Sequence, residues 1–248
     1  MQFVRSKLYD IAFVAWTLLL GLSMPILWLC GSPSRTVRAV AHLWVGGMIV
    51  GLKYIVGLVH VERGRENIPS EPCLIIANHQ SPWETYVLSR LFPDASVVAK
   101  HELGRIPIVG WFLKRYPMIL IDRESGPSAF RRMIAQGRAA IAEGRSIIVF
   151  PEGTRKSVRD RVVFRRGVEF LYSELKRPVL PVALNSGVLW GPDRWFRYAG
   201  TVTVSYLPLI EPGLSRNAFR DRAQAVIQAE KDRLASELDC EDWIEALG

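Results

Sequence analysis

Between Ile11 and Cys30 the chain runs for 20 residues without a charged side chain, IAFVAWTLLLGLSMPILWLC. At about 1.5 Å of rise per residue, a helix of that length covers the ~30 Å hydrocarbon core of a bilayer. A cleaved signal peptide carries a shorter apolar core, about 7–15 residues, and a small-residue cleavage site that is missing here. Pro25 predicts a kink within the run. A second apolar stretch, Ala39 to Val59, contains His42 and Lys53 and is a weaker span. In it, Gly47 and Gly51 form a small-xxx-small pair of the kind that lets two helices approach closely. Arg5 and Lys7 precede the hairpin, Arg35 and Arg38 divide it, and Arg63 and Arg65 follow it. Cations on every flank do not orient it across a membrane, and they suit a hairpin lying in one leaflet as well as one that spans. A hairpin buried inside a soluble protein is the alternative. Residues 1–59 are read as a membrane-embedded helical hairpin and residues 60–248 as a separate domain.

That domain is long enough for one sizeable core. Short, almost wholly apolar runs such as CLIIA, MILI and SIIVF read as strands buried on both faces. Seven strands are predicted: Leu58–Glu62, Cys73–Ala77, Ser96–Ala99, Met118–Asp122, Ser146–Phe150, Val179–Leu184 and Thr201–Leu207. Helical stretches fall near Glu84–Leu91, Ile108–Lys114, Ala129–Ala142 and Phe164–Glu174, and an acidic amphipathic helix is expected over Asn217–Leu247. The class is α/β, a largely parallel sheet flanked by helices and preceded by the hairpin. With 49% hydrophobic and 23% charged residues, disorder is excluded. Three cysteines, Cys30, Cys73 and Cys240, fit neither a disulfide framework nor a zinc site.

The formal net charge is +8, and it is unevenly placed. From Lys100 to Arg166 there are 15 basic and 6 acidic residues, whereas from Glu211 to Gly248 there are 5 basic and 9 acidic. The middle stretch suits an anionic partner: nucleic acid, anionic lipid head groups or a phosphorylated small molecule. Plain solvated arginines are the bland alternative.

His79 follows the predicted strand CLIIA directly, in Asn78-His79-Gln80-Ser81-Pro82-Trp83-Glu84. In open α/β sheets ligands gather at the carboxyl ends of strands. Ser81-Pro82 reads as a helix cap followed by proline at the first helical position, which places Glu84 in the first turn, near the histidine. Glu84 then orients and stabilises an imidazolium, or it closes a capping box on the Ser81 N–H; the local sequence leaves both open. Phe150-Pro151-Glu152-Gly153-Thr154-Arg155 follows a second strand. Glycine admits close backbone approach, threonine offers a hydroxyl, and arginine can fork onto a phosphate. Lys100 ends another strand and Arg123 follows MILID, so three cations sit after three different strands and point to one sheet edge.

Asn78-His79-x4-Glu84, Ile121-Asp122-Arg123, Phe150 to Arg155, and Val179 to Gly187 stand in an order that resembles the glycerolipid acyltransferases, most closely the 1-acyl-sn-glycerol-3-phosphate acyltransferases. The likeness runs from about Arg63 to Pro208, and an N-terminal membrane hairpin is also similar to family members. The resemblance implies that His79 is the general base and Glu84 its acidic partner, in a place where the family usually has Asp. It implies that Arg123, Glu152, Gly153, Thr154 and Arg155 bind the acceptor's phosphate and shape the site, with Lys100 at a further basic position. Pro181 and the block Phe164-Arg165-Arg166-Gly167 match other family segments. The implied reaction moves an acyl group from a thioester, on coenzyme A or acyl carrier protein, to the sn-2 hydroxyl of lysophosphatidic acid. No metal, resident cofactor or nucleic acid is expected, and the catalytic domain is expected at the cytoplasmic face of a membrane. Another lysolipid acceptor, such as a lyso-ornithine lipid, is the alternative within enzymes. A non-catalytic membrane-surface or nucleic-acid binder is the alternative outside them.

Overall fold

The computed structural model describes residues 1–106, 108–122, 126–192 and 195–238. The first helix, α1, spans Gln2–Gly21 and so begins well before the uncharged run; α2 spans Ser23–Leu29. The break has its cause at Pro25, which lacks an N–H and crowds the carbonyl four residues back, that of Gly21. Helix α3, Ser34–Gly51, continues into one π-helical turn, Leu52–Val56, that ends at Gly57 with φ 86°. The glycine pair is where α1 and α3 meet. A Cβ on Gly47 would stand 2.4 Å from the Trp16 ring, and one on Gly51 would stand 3.2 Å from the Tyr9 ring. The indole N–H of Trp16 donates to the Trp44 carbonyl at 3.1 Å, and that of Trp44 to the Thr17 hydroxyl at 2.9 Å. Outward-facing Val14, Leu18, Leu22, Ile26 and Trp28 are exposed. Gln2–Leu29 and Arg35–Val56 are long and apolar enough to cross a membrane, with mean hydropathy 2.0 and 1.6. Their exposure does not fit a hairpin buried in a soluble protein.

Seven strands form one sheet: β1 Leu58–Arg63, β2 Leu74–Ala77, β3 Ser96–Lys100, β4 Ile119–Ile121, β5 Ile147–Val149, β6 Val179–Leu184 and β7 Gly200–Tyr206. Each lies within one residue of its predicted ends. The order is β1-β7-β6-β2-β5-β3-β4, and every neighbouring pair is parallel except β6 and β7. Strands β2 to β6 therefore run the same way, and the loops leaving their carboxyl ends share one edge. Central β2 is buried along its whole length. Its Ile75 and Ala77 join a cluster with Trp83, Val87 and Leu88 of α4 (Trp83–Leu91). Its Leu74 and Ile76 face the opposite cluster, with Met133 of α5 (Pro127–Ala142), Leu171 of α6 (Gly167–Leu175) and Phe219 and Ile227 of α8 (Arg216–Leu238). A strand covered on both faces has no polar side to show, which is why it reads as an unbroken apolar run. Between β6 and β7 lies a short helix, α7, Ser186–Trp190, and a further short helical turn spans Val109–Leu113.

Two helix boundaries differ from expectation. The helix predicted from Phe164 begins at Gly167, because the N–H groups of Val162 and Phe164 donate to Gln228 and Gln224 of α8, at 2.7 and 2.6 Å. The segment before Gly167 is thereby held as a loop. Helix α8 begins at Arg216 and is described to Leu238; the rest of the predicted helix, with Cys240, lies outside the described residues.

The hairpin joins this core directly. Tyr9, Leu52 and Val56 belong to the Ile75 cluster. Arg197 ion-pairs with Asp10 at 2.7 Å and lies over the rings of Tyr9 and Trp190 at 4.7 and 4.3 Å. Asp10 of α1 thus docks the helix to the domain.

Candidate active site

Beyond Ala77 the chain continues β2 with a side chain in place of a backbone rung. Asn78 donates through Nδ2 to the Leu184 carbonyl at 2.9 Å and accepts from the Leu184 N–H at 2.8 Å. His79 comes next and is gripped by the loop after β5. Its N–H donates to Glu152 Oε1 at 2.7 Å, its carbonyl accepts from the Lys156 N–H at 2.7 Å, and its ring stacks on Phe150 with centroids 4.3 Å apart. Its Nδ1 is buried without a hydrogen-bond partner and faces Glu84 Oε2 at 3.6 Å.

Glu84 is wholly buried. Its Oε1 accepts from the N–H groups of Gln80 and Ser81, each at 2.9 Å, and from the Ser186 hydroxyl at 2.5 Å. Oε2 accepts from the Ser81 N–H at 2.9 Å, and the Ser81 hydroxyl accepts from the Trp83 N–H at 3.2 Å. The capping box is closed, and the same carboxylate faces the imidazole. The bonds to Ser81 fit the cap reading, and the partner reading has only the 3.6 Å approach to the imidazole. At 3.6 Å the imidazole is beyond hydrogen-bond range.

Ser186 was not among the predicted site residues. Its signal in the sequence is its position just past the carboxyl end of β6. The neighbouring Gly187 donates its N–H to Gln80 Oε1 at 3.1 Å, and a Cβ there would stand 2.8 Å from the Gln80 Cβ. The loops after β2 and β6 are interlocked, and no larger residue fits between them.

His79 opens onto a cavity of about 910 Å³ that is also lined by Lys100, Gly153, Thr154 and Arg155. Gly153 takes φ 74°, the left-handed turn that glycine adopts without strain. Arg165 and Arg166 add two cations, while Val97, Ala99, Phe130, Met133 and Phe164 supply an apolar wall. Glu152, expected among the substrate-binding residues, is outside this lining. It is 3% exposed, burial pushes its carboxyl up to about 7, and it holds the His79 backbone. Arg123 lies outside the described residues. Among the described residues no three His, Cys, Asp or Glu side chains gather as a metal site. The cavity thus combines one imidazole, several cations and an apolar wall, the chemistry that can take an anionic head and an apolar tail.

A family model described as Acyltransferase matches residues 60–185. The 1-acyl-sn-glycerol-3-phosphate acyltransferase of Pseudomonas aeruginosa is 36% identical over 195 residues, 79% of this chain and 72% of that one. This chain belongs to the 1-acyl-sn-glycerol-3-phosphate acyltransferase family. It is also similar to 1-acyl-sn-glycerol-3-phosphate acyltransferase beta of Homo sapiens, 30% identical over 71% of this chain and 64% of that one. The crystal structure of the 1-acyl-sn-glycerophosphate acyltransferase of Thermotoga maritima shares the fold: TM-score 0.70, 94% of this chain and 98% of that chain covered, 21% identity. The matched segment of this acyltransferase runs from His60 in β1 to Asn185 after β6, and so contains His79, Glu84 and the loop after β5.

Proposed function

We propose that this acyltransferase moves a fatty acyl group from a thioester to the sn-2 hydroxyl of lysophosphatidic acid, giving phosphatidic acid. The observation that carries the reading is the cavity, in which His79, Lys100 and Arg155 line one space with an apolar wall. The names of the relatives agree with it. Glu84 fixes Nδ1 of the imidazole, which leaves Nε2 to take the hydroxyl proton. The acceptor oxygen then attacks the thioester carbonyl. Collapse of the tetrahedral intermediate breaks the C–S bond, and the imidazolium returns its proton to the departing thiolate. Positioned proton transfer of this kind contributes about 10²–10⁴-fold. Arg155, with Lys100 and Arg123, is assigned to the acceptor phosphate, turning an encounter into an oriented complex. Gly153 and Thr154 shape the same edge. The thioester on coenzyme A or acyl carrier protein is a co-substrate, and no resident cofactor or nucleic acid takes part. The hairpin holds the domain where a membrane amphiphile and a soluble donor meet, and a cytoplasmic donor places the site on the cytoplasmic face.

The test is acceptor kinetics in Arg155→Ala. The expected KM for lysophosphatidic acid rises about ten- to a hundredfold, the scale of a lost charge-assisted hydrogen bond. Arg155→Lys recovers part of it, because a point charge does not replace a fork. Monoacylglycerol, which has no phosphate, should be used equally poorly by wild type and variant. Unchanged lysophosphatidic acid kinetics in Arg155→Ala would refute the assignment.

A further inference from the structure

Beside the catalytic cavity lies a second concavity of about 660 Å³, along α5 and α6. Its apolar surface is Phe130, Ile134 and Phe170, with the two phenyl centroids 5.4 Å apart. Arg131, Arg138, Arg166 and Arg216 surround it, against a single carboxylate among the described residues, Glu174. Glu174 takes Arg138 at 2.8 Å and Arg216 at 3.8 Å, and the Arg216 guanidinium lies 4.2 Å over the Phe170 ring. Arg131 and Arg166 are exposed and pair with no carboxylate among the described residues. Phe130 and Arg166 line both this groove and the cavity that holds His79. A molecule seated in the groove therefore reaches the imidazole by passing those two side chains.

The acceptor has no use for the groove, since its phosphate and hydroxyl are both assigned to the cavity. The donor has. Aromatic rings offer a flat apolar surface to a heterocyclic base, and arginines offer forks to phosphates. We propose that the groove seats the nucleotide head of a coenzyme A thioester, its base against Phe130 and the Arg216 guanidinium that covers Phe170, and its phosphates on Arg131, Arg138 and Arg166. The pantetheine arm then runs past Phe130 into the cavity and delivers the thioester to His79. This rests on the thioester-donor reading above and extends it to one donor. Charge and ring together favour a nucleotide over an acidic carrier protein: the arginines suit either, and the exposed ring of Phe130 suits a base.

Arg131 is the residue to change, because it is exposed and has no ion pair to lose among the described residues. Binding of adenosine 3′,5′-bisphosphate to the full-length protein in detergent is measured by calorimetry for wild type, Arg131→Ala and Arg131→Glu. Wild type should bind it, and the variants should bind it about ten- to a hundredfold more weakly, Glu more so than Ala. The KM for acyl-coenzyme A should rise in the same order with kcat held. The KM for the same acyl chain on pantetheine, which lacks the nucleotide, should not move. Equal bisphosphate binding by wild type and Arg131→Glu overturns the proposal, as does a matching rise in KM for acyl-pantetheine. Transfer from acyl carrier protein that Arg131→Glu impairs, with no bisphosphate bound by wild type, overturns it in favour of a protein occupant. Bisphosphate binding lost in Arg131→Glu, in a protein that does not acylate lysophosphatidic acid, upholds the groove and sinks the acceptor reading.

Discussion

Two buried carboxylates hold the His79 loop from different sides: Glu84 through the backbone of Gln80 and Ser81, and Glu152 through the N–H of His79 itself. The sequence pointed to Glu84 as a cap or as a partner of the imidazole, and local spacing had no means to decide, because both roles ask for a carboxylate in the same turn. Glu152 was legible as part of a motif but not in its task. Whether a carboxylate after a strand faces a ligand or the protein interior depends on what packs over it. Burial raises the Glu152 carboxyl from 4.5 to about 7, so the folded chain keeps a proton that the unfolded chain has released. The stability tied to that proton is present below pH 4.5 and is lost as the pH rises through about 7. Glu152→Gln keeps an acceptor for the His79 N–H and removes the titration. Its thermal midpoint should vary less with pH than that of wild type across the window from 4.5 to about 7. An identical pH profile for the two proteins would show that Glu152 does not titrate there.

At the scale of elements, strands were legible because burial on both faces leaves an unmistakable apolar run, and β2, β5 and β6 are such runs. What the pattern did not reveal is the work of α8. The sequence over Asn217–Leu247 reads only as an acidic amphipathic helix. In the structure Gln224, Gln228 and Lys231, spaced to share one helix face, clamp the loop between Arg155 and Arg165. The amides accept the N–H groups of Phe164 and Val162, and Lys231, 2% exposed, donates to the carbonyls of Val158 and Asp160 at 3.0 and 2.5 Å. Polar residues 60 or more positions from their partners leave no local signal, and the late start of α6 was missed for the same reason. Lys231→Met keeps the stem and removes the donors. It should lower stability by about 1–3 kcal/mol, the scale of buried carbonyls left unpaired. Faster amide exchange across residues 156–164 should accompany it. Wild-type exchange and an unchanged thermal midpoint would mean that the clamp is idle.

For the whole molecule, the parallel run of β2 to β6 explains how residues far apart in the chain share one cavity: Lys100 leaves β3, His79 follows β2, and Arg155 follows β5. The concentration of positive charge between Lys100 and Arg166 was visible in the sequence, and its division between a cavity and an adjoining groove was not, since that depends on how α5 and α6 lie against the sheet. The exposed apolar faces of α1 and α3 suit association with a membrane, and α1 is docked to the domain that holds the cavity through Asp10 and Arg197. The central claim is that His79, backed by Glu84, transfers acyl groups there. Its most direct measurement is phosphatidic acid formed from an acyl thioester and lysophosphatidic acid in vesicles, by wild type, His79→Ala and Glu84→Gln, with vesicle binding and thermal midpoint measured alongside. His79→Ala should bind vesicles and melt like wild type while losing nearly all transfer, and Glu84→Gln, which still caps α4, should lose about 10²–10⁴-fold. Transfer at the wild-type rate by folded, vesicle-bound His79→Ala would contradict the account.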